Sequence, residues 1–183
     1  MGLFSSIGKA RASAGPKAAA PAAIAEAQEE PFVVLAPVSG RPMSLAEVGD
    51  GVFSEGLVGL GAAVMPSSGE VLAPVSGKVV MVADTRHAIG IQTGSSSVLV
   101  HMGLETVGLG GRPFEVACTV GQTVRAGDPI ATMDLGMLSE LEVSPVVIVV
   151  VSDCTDEGRI TWFPSDGDVV AGRDPLFECD PRP

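Results

Sequence analysis

Apolar residues in this chain come in short runs rather than long helical stripes. Phe32–Leu35, Val79–Val82, Ile89–Ile91, Val98–Val100 and Val146–Val151 are rich in Val and Ile, and Gly, Pro, Asp and Ser punctuate them. Branched side chains suit a pleated strand and the punctuating residues end one, so the pattern predicts strand–turn–strand from Phe32 onward. Helical periodicity is weak; Ser44–Val48 and Leu135–Glu142 each offer a turn or two. The longest apolar candidate, Val143–Val151, is interrupted by Ser144 and Pro145 and falls well short of the roughly 18 residues a membrane helix needs.

Two segments are echoed. Ala36-Pro37-Val38-Ser39-Gly40-Arg41 returns as Ala73-Pro74-Val75-Ser76-Gly77-Lys78. Gly121-Gln122-Thr123-Val124-Arg125-Ala126-Gly127-Asp128-Pro129-Ile130 is echoed by Gly167-Asp168-Val169-Val170-Ala171-Gly172 and then Asp174-Pro175-Leu176. Each unit reads as a strand entering or leaving a glycine turn. The fold class expected is all-β: an internally duplicated antiparallel sandwich or flattened barrel that hides its edges, with few short helical turns.

Residues 1–30 are different. Ala, Pro and Ser dominate there, which predicts a flexible tail preceding one domain over 31–183. Leu3, Phe4 and Ile7 fall at helical spacing before Lys9 and Arg11, so residues 2–11 could form a short amphipathic helix on an anionic membrane surface. Three chance apolar residues in a disordered start explain the spacing equally simply. Met1-Gly2 with Ser6 also fits the short myristoylation pattern.

The net charge of −11 falls entirely on residues 31–183, because Lys9, Arg11 and Lys17 balance Glu26, Glu29 and Glu30. An acidic domain repels nucleic-acid phosphates and suits a partner with a basic face; plain solubility explains it as well. Cys118, Cys154 and Cys179 are few, spread out and without a CxxC, so neither a zinc site nor a disulfide framework is expected. No secretory signal is visible, and the economical setting is the reducing cytoplasm.

The chain holds two histidines, His87 and His101. Both fall in expected strands. Alternation places Leu99, His101 and Gly103 on one face and Val98, Val100 and Met102 on the other, core-like face. By the same rule His87 shares a face with Ile89 and Ile91. If the two segments pair as neighbours, the imidazoles could meet in an apolar depression; spacing alone leaves two unrelated histidines as open. Neutral imidazole is a nucleophile near pH 7, and phosphoryl transfer asks chiefly for positioning and for donors aimed at the equatorial oxygens.

Val98-Leu99-Val100-His101-Met102-Gly103-Leu104-Glu105-Thr106-Val107 resembles the phosphohistidine signature of the glucose-type enzyme IIA domains of the bacterial phosphoenolpyruvate-dependent sugar phosphotransferase system. Thr85-Arg86-His87-Ala88 resembles the motif around that family's second active-site histidine, and Asp50 to Gly59 resembles the segment rimming its site. The likeness covers roughly residues 32–178. It implies that His101 carries the phosphoryl group, with Nδ1–H held by a main-chain carbonyl near Gly103. His87 would stabilise the group and aid onward transfer, and Thr85 would orient a site histidine. Val52, Phe53, Leu57 and Met102 would supply apolar contact surface, with Gly103 beside the nucleophile allowing close approach. The donor would be the histidine phosphocarrier HPr, and the acceptor a cysteine of an enzyme IIB domain or IIBC permease. No cofactor is held tightly, although zinc shared between the two histidines and a partner carboxylate is implied for some members. The location would be cytoplasmic, with membrane association through a permease or the N-terminus. Glu105 stands where Asp is commoner and Leu60 where Asp is usual, which bears on partner fit and on which sugar is served.

Three rivals stand beside this reading. A zinc hydrolase needs a third protein ligand, and no HxH or HExxH supplies it. A biotinyl or lipoyl carrier needs a lysine in a tight hairpin, and the only lysine after Lys17 is Lys78, in Ser76-Gly77-Lys78-Val79. A regulatory protein whose partner choice is set by phosphorylation would use the same surface.

Overall fold

In the computed structural model, which describes residues 30–163 and 167–182, every predicted apolar run becomes a strand. The strands are β1 (Phe32–Leu35), β2 (Gly40–Ser44), β3 (Leu60–Pro66), β4 (Glu70–Leu72), β5 (Gly77–Val82), β6 (Ala88–Thr93), β7 (Ser96–Met102), β8 (Phe114–Val116), β9 (Thr123–Val124), β10 (Pro129–Met133), β11 (Val147–Val151), β12 (Ile160–Trp162) and β13 (Pro175–Cys179). Two short helices, α1 (Leu45–Val48) and α2 (Leu135–Glu140), fall inside the two stretches that offered helical turns. Ser44 and Glu47 form a capping box on α1, and Asp134 Oδ1 accepts from Met137 N at 2.9 Å to start α2. The expected tail and the helix over 2–11 lie outside the described residues, Glu30 excepted. Among the described residues no helix is long and apolar enough to cross a membrane.

All strand pairs are antiparallel. One sheet runs β2-β3-β11-β7-β6-β5-β9, and two smaller sheets run β1-β13-β12 and β4-β10-β8. Val98, Val100, Val147 and Val149 of the large sheet share one continuous buried core with Val34, Phe177, Val71 and Ile130 of the small ones. The result is the antiparallel sandwich expected from the pattern.

The sequence echoes have a physical counterpart. Leu35 N donates to Pro74 O and Leu72 N donates to Pro37 O, so the two Ala-Pro-Val-Ser-Gly loops bond reciprocally. Each loop then grips its own glycine turn. Ala36 N donates to Asp174 O and Gly172 N to Ala36 O; Ala73 N donates to Asp128 O and Gly127 N to Ala73 O. The serines repeat the pattern, Ser39 Oγ accepting from Ala171 N and Ser76 Oγ from Ala126 N. Proline cannot donate to a ladder, so each loop leaves its strand here and its backbone groups are satisfied across the pseudo-twofold instead.

Strand β11, in the interior of the large sheet, is buried at all five positions. Val147, Val149 and Val151 enter the main core, while Ile148 and Val150 face a second cluster with Leu45, Phe53, Ala63 and Val146. The second cluster exists because α1 and the loop of residues 49–59 fold over the outer face of β3 and β11.

The cysteines end up buried and unbridged. Cys179 lies against Cys154, and burial together with that neighbour pushes its thiol up to about 12, which makes Cys179 a poor nucleophile at neutral pH.

The main chains of β3 and β11 approach closely at Gly61, where an added Cβ would lie 1.9 Å from Val149 O. Gly61→Ala is therefore expected to cost about 3 kcal/mol or more, since neither backbone can move without opening a doubly buried strand. Gly49→Ala, where a Cβ meets nothing within 4 Å, should cost about 1 kcal/mol through its positive φ alone. Urea unfolding of the two variants against the wild type checks the contrast.

Candidate active site

His101 reaches its position through alternation on β7. Ser96, Val98, Val100 and Met102 are buried, and Ser97, Leu99 and His101 are half-buried on the opposite face. Ile148 of β11 lies opposite His101 on one side and Ala88 of β6 on the other. The floor under the imidazole is thus the second cluster, and its cover stops beside the ring.

His87 arrives differently, and here the sequence expectation is corrected. It lies in the turn before β6, not in a strand. Continued alternation would send it to the Ile89 and Ile91 side, which is the main core. Instead Arg86 takes a positive φ of 57°, the alternation is broken, and His87 turns to the face of His101. The ring centroids are 4.9 Å apart at 76°. The main chain locks this arrangement: Ala83 N donates to Ala88 O, and Met102 N donates to His87 O at 2.7 Å.

The Nδ1 edge of His87 is occupied by Thr85, with Oγ1 2.6 Å from Nδ1. When the threonine hydroxyl donates to Nδ1, the ring proton sits on Nε2, which becomes a donor available to a bound group. Burial lowers the His87 pKa from its ordinary value.

His101 is more strongly perturbed. Burial, then the neighbouring His87, drive its pKa down to about 4, while the Gly103 backbone and the Asp50 carboxylate oppose the drop. Its Nδ1 is buried and has no hydrogen-bond partner among the described residues. The Gly103 main chain favours the protonated ring, and the expected bond to Nδ1–H is not among the hydrogen bonds of the described residues. With Nδ1 buried, the ring's exposed edge carries Nε2. Both imidazoles are neutral at pH 7.

Phe53 packs its ring against the same imidazole, centroids 5.0 Å apart at 61°. It is 7% exposed, so it braces His101 and offers little surface of its own. Val52 and Leu57 are exposed, Leu57 at 70%, as apolar contact residues must be. Met102 is a correction: it is fully buried in the main core, on the face opposite His101, and has no surface to offer a partner. Gly103 is buried too. Its φ is +71° and a Cβ would come within 2.6 Å of Thr106 Cγ2, so glycine is there to let the chain turn.

A cleft of about 680 Å³ opens beside His101, lined by Asp50, Val52, Phe53, Leu104, Glu105, Glu142 and Ser144 among others. The sequence placed Asp50 in the segment rimming the site without an individual role, and assigned none to Glu142. Asp50 organises the rim, its Oδ1 accepting from Val52 N at 3.2 Å and Ser54 N at 3.0 Å. Burial would raise its pKa, but backbone donors from Ser54, Phe53 and Val52 outweigh that and lower it. The Asp50-Gly51 dipeptide with Ser54 is an Asx-turn signal that could have marked this loop. Glu142 left no such trace, because it reaches the cleft from the distant loop after α2.

Two imidazoles can contribute two ligands to a metal. Among the described residues no three His, Cys, Asp or Glu side chains group to hold an ion, so any metal here would need a ligand from another molecule.

Three comparisons bear on this site. Residues 32–157 match the family model described as phosphoenolpyruvate-dependent sugar phosphotransferase system, EIIA 1. The glucose-specific EIIA component of Oceanobacillus iheyensis is 33% identical over 156 residues, covering 85% of this chain and 94% of that protein. The glucosamine-specific EIICBA component of Bacillus subtilis is 38% identical over 130 residues, 70% of this chain and 20% of its own length. The N-acetylglucosamine-specific EIICBA component of Klebsiella pneumoniae is 39% identical over 168 residues, 91% and 25% respectively. This chain thus spans only a fifth to a quarter of those two longer relatives. The solved structure of glucose permease IIA from Mycoplasma capricolum superposes with a TM-score of 0.71 at 36% identity, covering 82% of this chain and 96% of that one.

The buried neutral state of His101 ties stability to pH. Its folded pKa lies below the 6.5 of a free imidazole, so from pH 6.5 down to about 4 the unfolded chain takes up a proton that the folded chain refuses. Stability should fall across that window and the fall should end below it, where both states are protonated. His101→Gln is expected to flatten this slope, read from urea midpoints at pH 7, 5.5 and 4.5.

Proposed function

The chain belongs to the EIIA 1 family of the phosphoenolpyruvate-dependent sugar phosphotransferase system, and on that footing we propose that it is a phosphoryl carrier in sugar uptake in which His101 takes the phosphoryl group on Nε2. The observation that carries the residue assignment is the contact between two neutral imidazoles at the mouth of a cleft, one of them with Nδ1 buried.

The chemistry follows from that geometry. The lone pair of His101 Nε2 attacks phosphorus as the bond from phosphorus to the donor's imidazole nitrogen breaks, and the donor departs as neutral imidazole. Charge spreads over the equatorial oxygens, and the Nε2–H of His87, set by the Thr85 hydroxyl, is the donor within reach. Phe53, Leu104 and Val52 keep the phosphoimidazole away from bulk water, which would hydrolyse it. In the onward step the bond from His101 to phosphorus breaks as an acceptor sulfur–phosphorus bond forms, and His87 again holds the oxygens.

The donor we assign is HPr. Asp50, Glu105 and Glu142 line the cleft and no lysine or arginine does, so the site suits a phosphocarrier that presents a basic face, as opposite fields speed encounter. The acceptor we assign is a cysteine of a B component. Relatives whose names join C, B and A components support this. Exposed Val52 and Leu57 beside the cleft supply apolar surface common to both encounters.

The test is intact-protein mass spectrometry after incubation with phosphoenolpyruvate, enzyme I and HPr. One acid-labile phosphoryl adduct is expected on wild type and none on His101→Ala. His87→Ala should still form the adduct but pass it on at least about 10²-fold more slowly, the usual share of one positioned proton donor. An adduct that survives in His101→Ala would refute the assignment.

A further inference from the structure

We infer that Thr106 is a positioning residue for His101, its hydroxyl holding the Met102–Gly103 peptide in the orientation that lets the Gly103 carbonyl close on Nδ1–H once the ring carries a phosphoryl group. This rests on the reading of His101 as the phosphoryl acceptor.

Thr106 and Ser96 are the two buried polar side chains among the described residues, both fully enclosed. Ser96 Oγ has no partner; Thr106 Oγ1 donates to Met102 O at 3.1 Å. The bond to Met102 O offsets the desolvation cost of the buried Thr106 hydroxyl, a cost that an apolar side chain of the same shape would not incur.

Met102 is the residue through which that bond acts. Its N–H is held by His87 O, and its C=O by Thr106 Oγ1. The other end of the Met102–Gly103 peptide plane, Gly103 N–H, is held by Val146 O, so with Met102 O bound to Thr106 this plane is fixed at both ends, and the next plane, which carries Gly103 O, is held through Leu104 N. The rest of the turn is strained and pinned. Gly103 and Glu105 both take positive φ, +71° and 55°. Gly103 N donates to Val146 O at 2.8 Å and Leu104 N to Ser144 O at 3.0 Å. A non-glycine residue such as Glu105 stays in that region only when its surroundings hold it.

The threonine uses both branches. Its methyl occupies the space that a Cβ on Gly103 would enter, at 2.6 Å, and its hydroxyl reaches Met102. The buried Nδ1 of His101, unpaired in this state beside the Gly103 main chain, is the atom that needs the carbonyl. Nucleophilic attack by Nε2 leaves positive charge on the ring and strengthens Nδ1–H as a donor. A turn held by Thr106 can meet that demand with a small shift; a free peptide plane would have to be ordered at the moment of reaction.

The two branches separate the proposal from simple packing. Thr106→Val keeps the methyl and the volume and removes the hydroxyl. Thr106→Ser does the reverse. We expect Val to slow phosphoryl transfer from HPr by roughly five- to tenfold, the rate equivalent of one net hydrogen bond, and to broaden or shift the Nδ1 proton and ¹⁵N signals of phosphorylated His101. Ser should retain both the rate and the signals despite lower thermal stability. A well-folded Val variant with wild-type rate and Nδ1 signals overturns the inference. If Val does not fold, Ser decides alone, since loss of the Nδ1 signals with the hydroxyl present overturns it equally. Failure of the wild-type protein to accept a phosphoryl group would instead refute the reading of His101 itself.

Discussion

The structure depends on burying β11 on both faces. An antiparallel strand of five apolar residues cannot present one side to water, so each face requires its own cover. The inner face is covered by the two small sheets. The outer face is covered by α1 and the loop over residues 49–59, which together bury Phe53, Leu45, Ile148 and Val150. That second cover reaches only partway across the sheet. His101 lies opposite Ile148, where the cover ends, and this is why it is desolvated enough to stay neutral while one ring edge remains open.

The duplicated loops and the reactive centre divide the labour. The reciprocal bonds between the Ala-Pro-Val-Ser-Gly loops and their glycine turns fix the frame and contribute no side chain to the cleft. His101 stands on β7, and the groups gathered around it come from turns that leave this regular frame. The three non-glycine residues with positive φ among those described, Arg86, Glu105 and Glu142, all border the site: one precedes His87, and two line the cleft. Backbone strain is concentrated where His87 must leave its expected face and where the chain must double back after His101, and the well-packed strands on either side hold it in place.

Electrostatics within the site follow from the same arrangement. Two imidazoles in contact in a partly dry setting cannot both hold a proton cheaply, so burial and mutual repulsion act in the same direction. The carboxylate of Asp50, whose Oδ1 also holds its own loop, opposes them without overturning the shift.

Much of this was legible in the chain. The Val and Ile runs with glycine and proline punctuation determined the strands, because β-branched packing and turn chemistry are local. The alternation around His101 determined which face it takes, and the two echoes declared a duplicated frame. His87 was misplaced by the same rule, since alternation holds only while the strand continues and Arg86 ends it. Met102 was credited with partner contact although its own alternation had put it in the core. Thr106 gave no chemical signal, since its value lies in reaching a carbonyl four residues back across a tight turn. Glu142 and Asp50 meet at one cleft from loops some ninety positions apart. Local sequence thus determined elements, faces and the identity of the reactive side chains. Which imidazole edge is buried, how far its proton affinity falls and which acids share its cleft were decided only by the tertiary structure, because desolvation and proximity are set by the long-range contacts the chain makes when it closes.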